Sequence, residues 1–192
     1  MRLSRLLRRA PLVLVVAAAI LAGPSGTATA RFDEQGALMR PKAYREWVYV
    51  GTPLTPDEFN DGEAAFPGFH NVYIDPQSFA RYRQTGRFPD GTMIVREFVG
   101  ISSREGPSGK GYFMGEFTGL QVKLKDAGRF SYEPGNWGYF SFGCGPPVSQ
   151  TAEVRRAGEC AACHLAAADE DTVFTQYYPV LRAARPEPGK RG

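Results

Sequence analysis

The sequence predicts an α+β domain, made mainly of an antiparallel β sheet with a few peripheral helices, including a C-terminal helix. Two observations predict this class. Segments rich in β-branched and aromatic residues follow one another with short turns between them, as expected of antiparallel strands. The helical signals lie apart from these segments, which is typical of α+β architecture.

The chain begins with the features of a cleavable signal peptide. An arginine-rich region precedes an apolar stretch at 12–21, and small residues end at Ala30 as a cleavage site. An uncleaved anchor is the alternative, but the apolar stretch is short for a bilayer span and Pro24 follows it. We predict residues 1–30 to be a signal peptide and the protein to be periplasmic or otherwise exported.

The mature chain carries nearly equal numbers of basic and acidic residues. The whole sequence has 23 Lys and Arg against 20 Asp and Glu, but four of the arginines lie in the signal peptide. No basic patch remains, so nucleic-acid binding is not expected. The rest suffices for one domain, predicted at 31–185, followed by a disordered tail at 186–192.

The first half of the domain combines irregular segments with one strand. Residues 31–40 are predicted to form a loose leader, and Pro41 predicts a short helix over 41–47, since proline is favoured in a first helical turn. Residues 52–68, rich in Pro, Gly and acidic residues, are predicted to be irregular. Residues 69–74 have the composition of a strand.

The later elements follow from helix-end and turn signals. Asp75 as N-cap, Pro76 in the first turn and Gly86 as a stop predict a helix between them. Turn signals then predict strands at 92–101, 111–126 and 137–142, with a loop at 102–109, a turn at 127–136 and a loop at 143–157. Apolar residues at helical spacing predict a terminal helix over 169–184, kinked by Pro179.

A Cys-x-x-Cys-His motif at 160–164 carries the most specific chemical signal. A redox-active disulfide between Cys160 and Cys163 is one alternative, and a zinc site completed by Cys144 and His70 is another. His164 directly after the second cysteine favours haem in an exported protein. We predict one covalently attached haem c, bound through Cys160 and Cys163, with His164 as the iron ligand.

The function of such a haem depends on its sixth position. Three residues are candidates for a sixth ligand, namely His70, Met93 and Met114. The favoured interpretation is a hydrogen-bonded or exposed histidine for His70 and core packing for Met93 and Met114. Cys144, in a Gly-Cys-Gly-Pro-Pro loop, is interpreted as a small packed residue, with an intermolecular disulfide as the alternative.

The predicted strand at 111–126 suggests a surface for the haem. Simple alternation puts Phe113, Gly115, Phe117, Gly119 and Gln121 on one face. Glycines between phenylalanines would leave room for a flat group to approach the backbone. The alternative is a bulged strand with exposed phenylalanines.

Five distinctive segments are spread over most of the mature chain. They read WVYVGT at 47–52, FHNVYI at 69–74, TGRFPDGT at 85–92, CAACH at 160–164 and DTVFTQYYPVL at 171–181. Together they resemble the cytochrome P-460 family, which includes the cytochromes c′-beta. The resemblance implies a mainly β fold, a homodimer, and a five-coordinate haem open to small nitrogen species.

The family has two branches. In the P-460 branch a lysine is bonded to the porphyrin, a carboxylate lies on the distal side of the haem, and hydroxylamine is oxidised. The c′-beta branch lacks the cross-link and binds nitric oxide.

The chain departs from the P-460 branch at both positions. The resemblance puts Arg96 at the position of the cross-linking lysine, with Lys110 as the nearest other lysine, and Gln121 at the distal carboxylate, with Glu116 as substitute. A guanidinium stays protonated, and an amide is no general base. We therefore expect Arg96 and Gln121 to lie in a distal pocket that binds or converts nitric oxide or related nitrogen oxides. An unidentified redox partner would exchange electrons with the haem. Hydroxylamine oxidation and six-coordinate electron transfer are the alternatives. Alternation puts Arg96 between Ile94 and Phe98, where it could hold a haem propionate, a ligand oxygen or a surface acid.

Overall fold

The computed structural model describes residues 30–187. Almost all of the predicted signal peptide, residues 1–29, and residues 188–192 of the predicted tail lie outside the described residues. Among the described helices, none is both long and apolar enough to cross a membrane.

The body of the protein is an antiparallel sheet, so the predicted α+β class with a mainly β body is confirmed. The six strands of the main sheet are β2 (Val48–Gly51), β3 (Leu54–Thr55), β4 (Gly68–Ile74), β5 (Met93–Gly106), β6 (Gly109–Lys125) and β7 (Trp137–Cys144). They run in the order β2-β4-β5-β6-β7, and β3 also pairs with β4. The sheet therefore follows chain order apart from the short β3.

A second, two-stranded sheet joins the beginning of the described chain to the segment that follows β7. It consists of β1 (Leu38–Met39) and β8 (Thr151–Ala152), paired antiparallel. The prediction of a loose leader at 31–40 is therefore wrong. Leu38 is fully buried in the core, and its burial fixes this segment against the sheet.

Helix α1 (Pro76–Thr85) confirms its predicted end signals. The Asp75 carboxylate accepts a hydrogen bond from the Ser78 N–H at 2.8 Å, and its second oxygen accepts one from the Met93 N–H at 2.9 Å. Gly86 takes the left-handed conformation with φ 67° and ends the helix. The cap thus also joins the helix to β5.

Strands β5 and β6 are longer than the sequence predicts. The predicted loop at 102–109 is wrong, because the two strands continue to Gly106 and from Gly109. Serine is compatible with a strand when its hydroxyl finds a partner: Ser102 Oγ donates to the Met114 carbonyl across the hairpin at 2.9 Å. Only Pro107 and Ser108 remain for the turn.

The helical predictions near both ends need correction. The predicted helix at 41–47 is a single 3₁₀ turn, Tyr44–Glu46. The predicted terminal helix over 169–184 is a 3₁₀ turn, Thr175–Tyr177, followed by α3 (Pro179–Ala184). Pro179 begins this helix and does not kink it, because proline lacks the N–H that a helix interior requires. The cysteine motif lies in α2 (Ala157–Ala167).

The two faces of the sheet contact two different cores. One face packs against Leu38, Tyr44 and Phe130, with Val95, Leu120, Val122 and Phe140 among its buried residues. The other face packs against α1, α2 and α3, with Val72, Ile74, Ile94, Trp137, Tyr139, Ala161, Tyr178 and Leu181 among its buried residues. We call the second surface the α2 face.

Candidate haem site

The α2 face presents a short run of alternating side chains from the two central strands. Arg96 of β5 lies directly opposite Gln121 of β6, and Phe98 lies opposite Gly119. Arg96 and Gln121, which the resemblance assigned to one distal pocket, are thus neighbours on one surface of the sheet. Helix α2 packs against the same face of the sheet, where Ala161, only 2% exposed, belongs to a core cluster with Ile94 and Tyr139.

The two cysteines lie one turn apart on α2. Residues at i and i+3 share a helix face, so Cys160 and Cys163 present their thiols on the same side. No disulfide joins them. Within residues 30–187, no group of three or more His, Cys, Asp or Glu side chains is arranged to hold a metal ion. The geometry therefore gives no support to the disulfide or the zinc alternative.

His164 has a fixed ring orientation. Its Nδ1–H donates to the Thr172 carbonyl at 2.8 Å, and its ring lies 5.0 Å from the Tyr139 ring and 4.6 Å from the Phe174 ring. Burial lowers the pKa of His164 to about 4, so the imidazole is neutral at neutral pH. Because Nδ1 is engaged, Nε2 is the nitrogen left for a metal.

Within the part of the chain that the structure describes, Arg96 is a half-buried cation without an acidic partner in contact. Its Nε and Nη2 atoms are buried and have no hydrogen-bond partner, and the guanidinium carbon lies 4.4 Å from the ring centroids of both Phe66 and Phe98. Burial lowers the pKa of Arg96, yet a guanidinium remains protonated at ordinary pH. Among the described residues, no acidic side chain forms an ion pair with Arg96, so the structure gives no support to the surface acid that was one candidate partner. A buried cation in this position calls for an anionic or polar oxygen partner.

A haem fits these residues. The site offers two thiols on one helix face, an imidazole with Nδ1 engaged, and a guanidinium with two unpartnered nitrogens. Cys160 and Cys163 would form the thioether bonds, His164 would bind the iron, and Arg96 would meet a propionate or a bound ligand. The apolar and aromatic surroundings would exclude water from a flat hydrophobic group.

Lys123 is a site residue that the sequence reasoning missed. It lies on the α2 face two residues beyond Gln121, is 7% exposed, and donates to the Thr172 carbonyl and to Thr172 Oγ1. Burial lowers its pKa to about 6. Strand alternation from Gln121 could have found it, since i and i+2 share a face. Lys110, the lysine proposed instead, is exposed at the far end of the hairpin.

The three candidate sixth ligands are placed differently from one another. His70 is buried, and its Nε2–H donates to the Phe66 carbonyl at 2.8 Å. Met93 packs in the core on the opposite face of the sheet from α2. Met114 is 48% exposed on the outer part of the hairpin. The hydrogen bond of His70 and the burial of Met93 support the structural roles expected of them, whereas the expected core packing of Met114 is wrong, because its side chain is half exposed.

The face of β6 that was predicted to border the haem is interrupted by a bulge. Phe98 pairs with Gly119 but Val99 pairs with Phe117, so Thr118 is an extra residue in β6. Phe117 consequently packs with the core opposite α2, on the other side of the sheet from Gly119 and Gln121. The prediction that all five residues share one face is wrong, because simple alternation fails at a bulge.

Gly119 is required for a reason other than space for haem. A Cβ at this position would lie 2.8 Å from the Gly143 carbonyl oxygen of β7. Gly115 is likewise crowded by Ser102, at 3.0 Å from the Cβ. Both glycines therefore allow close approach of neighbouring strands.

Two further residues that the sequence analysis discussed, Cys144 and Glu116, are exposed. Cys144 is exposed, so its interpretation as a packed residue is wrong. Glu116, the possible substitute for the distal carboxylate, is exposed on the outer part of β6.

An open cavity of about 980 Å³ is lined by Phe66, Phe98 and Cys144, and thus borders the two rings that contact Arg96.

Comparison with known proteins agrees with this site. A search of the curated proteins gave no match. A family model described as Cytochrome P460 matches residues 41–175, which include the main sheet, the cysteine motif and Thr172. The family supports a c-type cytochrome with a haem c cofactor. Because the match covers well over half of the sequence, the chain belongs to the cytochrome P460 family.

Proposed function

We propose that this protein is an exported c-type cytochrome with a single haem, attached through Cys160 and Cys163 and bound by His164, whose open sixth position binds or converts nitric oxide or related nitrogen oxides. The observation that carries the proposal is the composition of the α2 face. Among the described residues, it offers Arg96 and Gln121 but no methionine, and its histidine, His70, is already bonded to a backbone carbonyl. An iron without a strong sixth protein ligand is suited to small-molecule chemistry.

The polar groups of the face suit ligand binding better than substrate oxidation. Arg96 and the Gln121 amide can each donate a hydrogen bond to an oxygen of a bound nitrogen oxide. Neither group accepts a proton readily at neutral pH, so neither serves as the general base that hydroxylamine oxidation requires. The cavity beside Phe66 and Phe98 gives small molecules a route towards Arg96.

The first test is the optical spectrum of the purified holoprotein in its ferric, ferrous and ferrous nitric oxide forms. We expect a high-spin ferrous spectrum with an ordinary Soret band that shifts at once on adding nitric oxide. A low-spin ferrous spectrum that is unchanged by nitric oxide would contradict the proposal and leave an electron carrier. The ligand itself is then ranked by comparing nitric oxide, nitrite and hydroxylamine on the same preparation.

Hydroxylamine oxidation on a lysine-bonded haem is the second candidate, and Lys123 is the observation that favours it. A buried lysine with a pKa of about 6 is largely uncharged at neutral pH and is therefore a nucleophile. Mass spectrometry of proteolytic haem peptides decides the case. A haem peptide that also contains residue 123, together with a red-shifted ferrous Soret band, would put this candidate first, and the Lys123→Met variant would lose both.

The expected assembly and electron source are parts of the same proposal. We propose that the protein forms a homodimer and exchanges electrons with a redox partner outside the cytoplasm. Analytical ultracentrifugation of the holoprotein, with and without reductant, tests the dimer. A dimer that persists in reductant would exclude a disulfide through the exposed Cys144 as its cause.

A further inference from the structure

Two consecutive residues beside His164 have a rare backbone conformation. Asp171 and Thr172 have φ angles of 47° and 55°, in the left-handed region. That region is unfavourable for a β-branched residue such as threonine, so surrounding contacts must hold Thr172 in place. The conformation matters because the Thr172 carbonyl accepts the His164 Nδ1–H.

Lys123 supplies such contacts. Its amino nitrogen donates one hydrogen bond to the Thr172 carbonyl and a second, at 2.8 Å, to Thr172 Oγ1, and the two bonds together fix the position of this residue. The lysine is itself held in a buried position, with its nitrogen 4.3 Å from the Trp137 ring centroid and 5.3 Å from that of Tyr139. Because a buried donor left without a hydrogen-bond partner is energetically costly, we expect Lys123 to keep its bonds to Thr172.

The neighbouring lysine of β6 provides a natural comparison. Lys125 donates to the Asp171 carboxylate at 2.7 Å and to the Gly135 carbonyl at 2.8 Å. It therefore anchors the same turn but makes no bond to the carbonyl that His164 uses. The two lysines differ in the one contact that reaches the histidine.

We propose that Lys123 is a positioning residue for the iron ligand: it holds Thr172 in its left-handed conformation, so that the Thr172 carbonyl stays bonded to His164 Nδ1–H. This proposal rests on the proposed function, in which His164 binds iron. The Nδ1–H bond fixes the ring orientation and increases electron donation from the imidazole, which strengthens the iron–histidine bond. Lys123 thus acts on the haem through Thr172 and not by touching it.

The test is resonance Raman measurement of the iron–histidine stretching frequency in the ferrous holoprotein. In the Lys123→Met variant, Thr172 is free to leave its strained conformation, so we expect the frequency to fall and the band to broaden. In the Lys125→Met variant the frequency should remain that of the wild type. A fall in both variants would overturn the proposal, because general loosening of the turn would explain it.

A double variant adds a readout that simple destabilisation cannot reproduce. Glycine adopts a positive φ without strain, so Thr172→Gly combined with Lys123→Met should restore the wild-type frequency. If Lys123→Met alone does not retain haem, recovery of haem and frequency in the double variant supports the proposal, and failure of both overturns it. An unchanged frequency in Lys123→Met also overturns it. A wild-type protein without an iron–histidine band would instead refute His164 as the ligand, and with it the proposed function.

Discussion

The two histidines of the chain carry the same side chain but are suited to different roles. Burial lowers the pKa of each to about 4, so both are neutral at neutral pH. They differ in which ring nitrogen is engaged: His70 uses Nε2 on the Phe66 carbonyl, and His164 uses Nδ1 on the Thr172 carbonyl. Only the second arrangement leaves Nε2 free beside the two cysteines, and this favours His164 as the iron ligand.

The buried His70 should make stability depend on pH. Its pKa is lowered from 6.5 to about 4 on folding, so the unfolded chain binds the proton more tightly and stability is lost as pH falls through this window. The His70→Gln variant should therefore lose less unfolding free energy than the wild type between pH 7 and pH 4.5, by on the order of 2 kcal/mol. Denaturant unfolding at both values measures this. Parallel curves for the two proteins would contradict it.

The unpartnered guanidinium of Arg96 makes a second residue-scale prediction. If it donates to a bound ligand, Arg96→Met should release nitric oxide about tenfold faster, since a lost hydrogen bond to a charged group costs about 1.5 kcal/mol or more. Stopped-flow dissociation measures the rate. Arg104→Met is the control, because Arg104 is exposed and pairs with Glu58. An unchanged rate with lower haem content would assign Arg96 to a propionate.

At the scale of elements, the bulge in β6 determines which side chains reach the haem side. Thr118 is the extra residue. Because of it, the Phe117 side chain packs in the core opposite α2, whereas Gly119 and Gln121 lie on the α2 face of the sheet. A matching irregularity in β7, where Gly119 pairs with Cys144 and Gln121 with Ser141, brings the Gly143 carbonyl close to Gly119. The bulge and the glycine therefore belong to one packing arrangement.

Adding a methyl group at this point should weaken the β6–β7 contact. We expect Gly119→Ala to lower the free energy of unfolding by about 1–3 kcal/mol, the usual cost of overpacking, because its Cβ would press on a backbone oxygen that cannot move aside alone. Gly100→Ala is the matched control, since its Cβ meets neighbours only at ordinary contact distances, the nearest at 3.6 Å. Equal stability of the two variants in denaturant would contradict the explanation.

At the scale of the whole molecule, the sheet separates two cores. The core on one face, around Leu38 and Phe130, is mainly apolar, includes the small β1–β8 sheet, and is bordered by the buried Glu97 carboxylate, which accepts a hydrogen bond from Tyr44. The core on the other face is formed with the three helices and contains the charged and aromatic groups of the candidate haem site. The first core can support the sheet whatever occupies the second.

Haem attachment should depend on export of the whole chain. We expect the full-length chain to acquire the mass of one haem per polypeptide when exported, because thioether formation requires an unfolded chain outside the cytoplasm. A chain lacking residues 1–30 and kept in the cytoplasm should have the mass of the polypeptide alone. An exported Cys160→Ala, Cys163→Ala variant is the control. Intact mass spectrometry distinguishes these products, and covalent haem in the cytoplasmic form would refute the prediction.

The sequence by itself determined the features that depend on neighbouring residues. The Asp75 cap, the Gly86 stop and the strand at 69–74 are local effects of side-chain chemistry on backbone conformation. The Cys160, Cys163 and His164 motif is equally local. Each could be predicted because the residues that cause it stand next to one another in the chain.

Only the tertiary structure decided the features that depend on distant contacts. The bulge at Thr118 arises from pairing with β5, and the burial of Leu38 depends on Ala152. The role of Lys123 depends on Thr172, which is 49 residues away. Strand alternation predicts which face a residue occupies, but it cannot predict where an extra residue reverses that face or which backbone atom meets it.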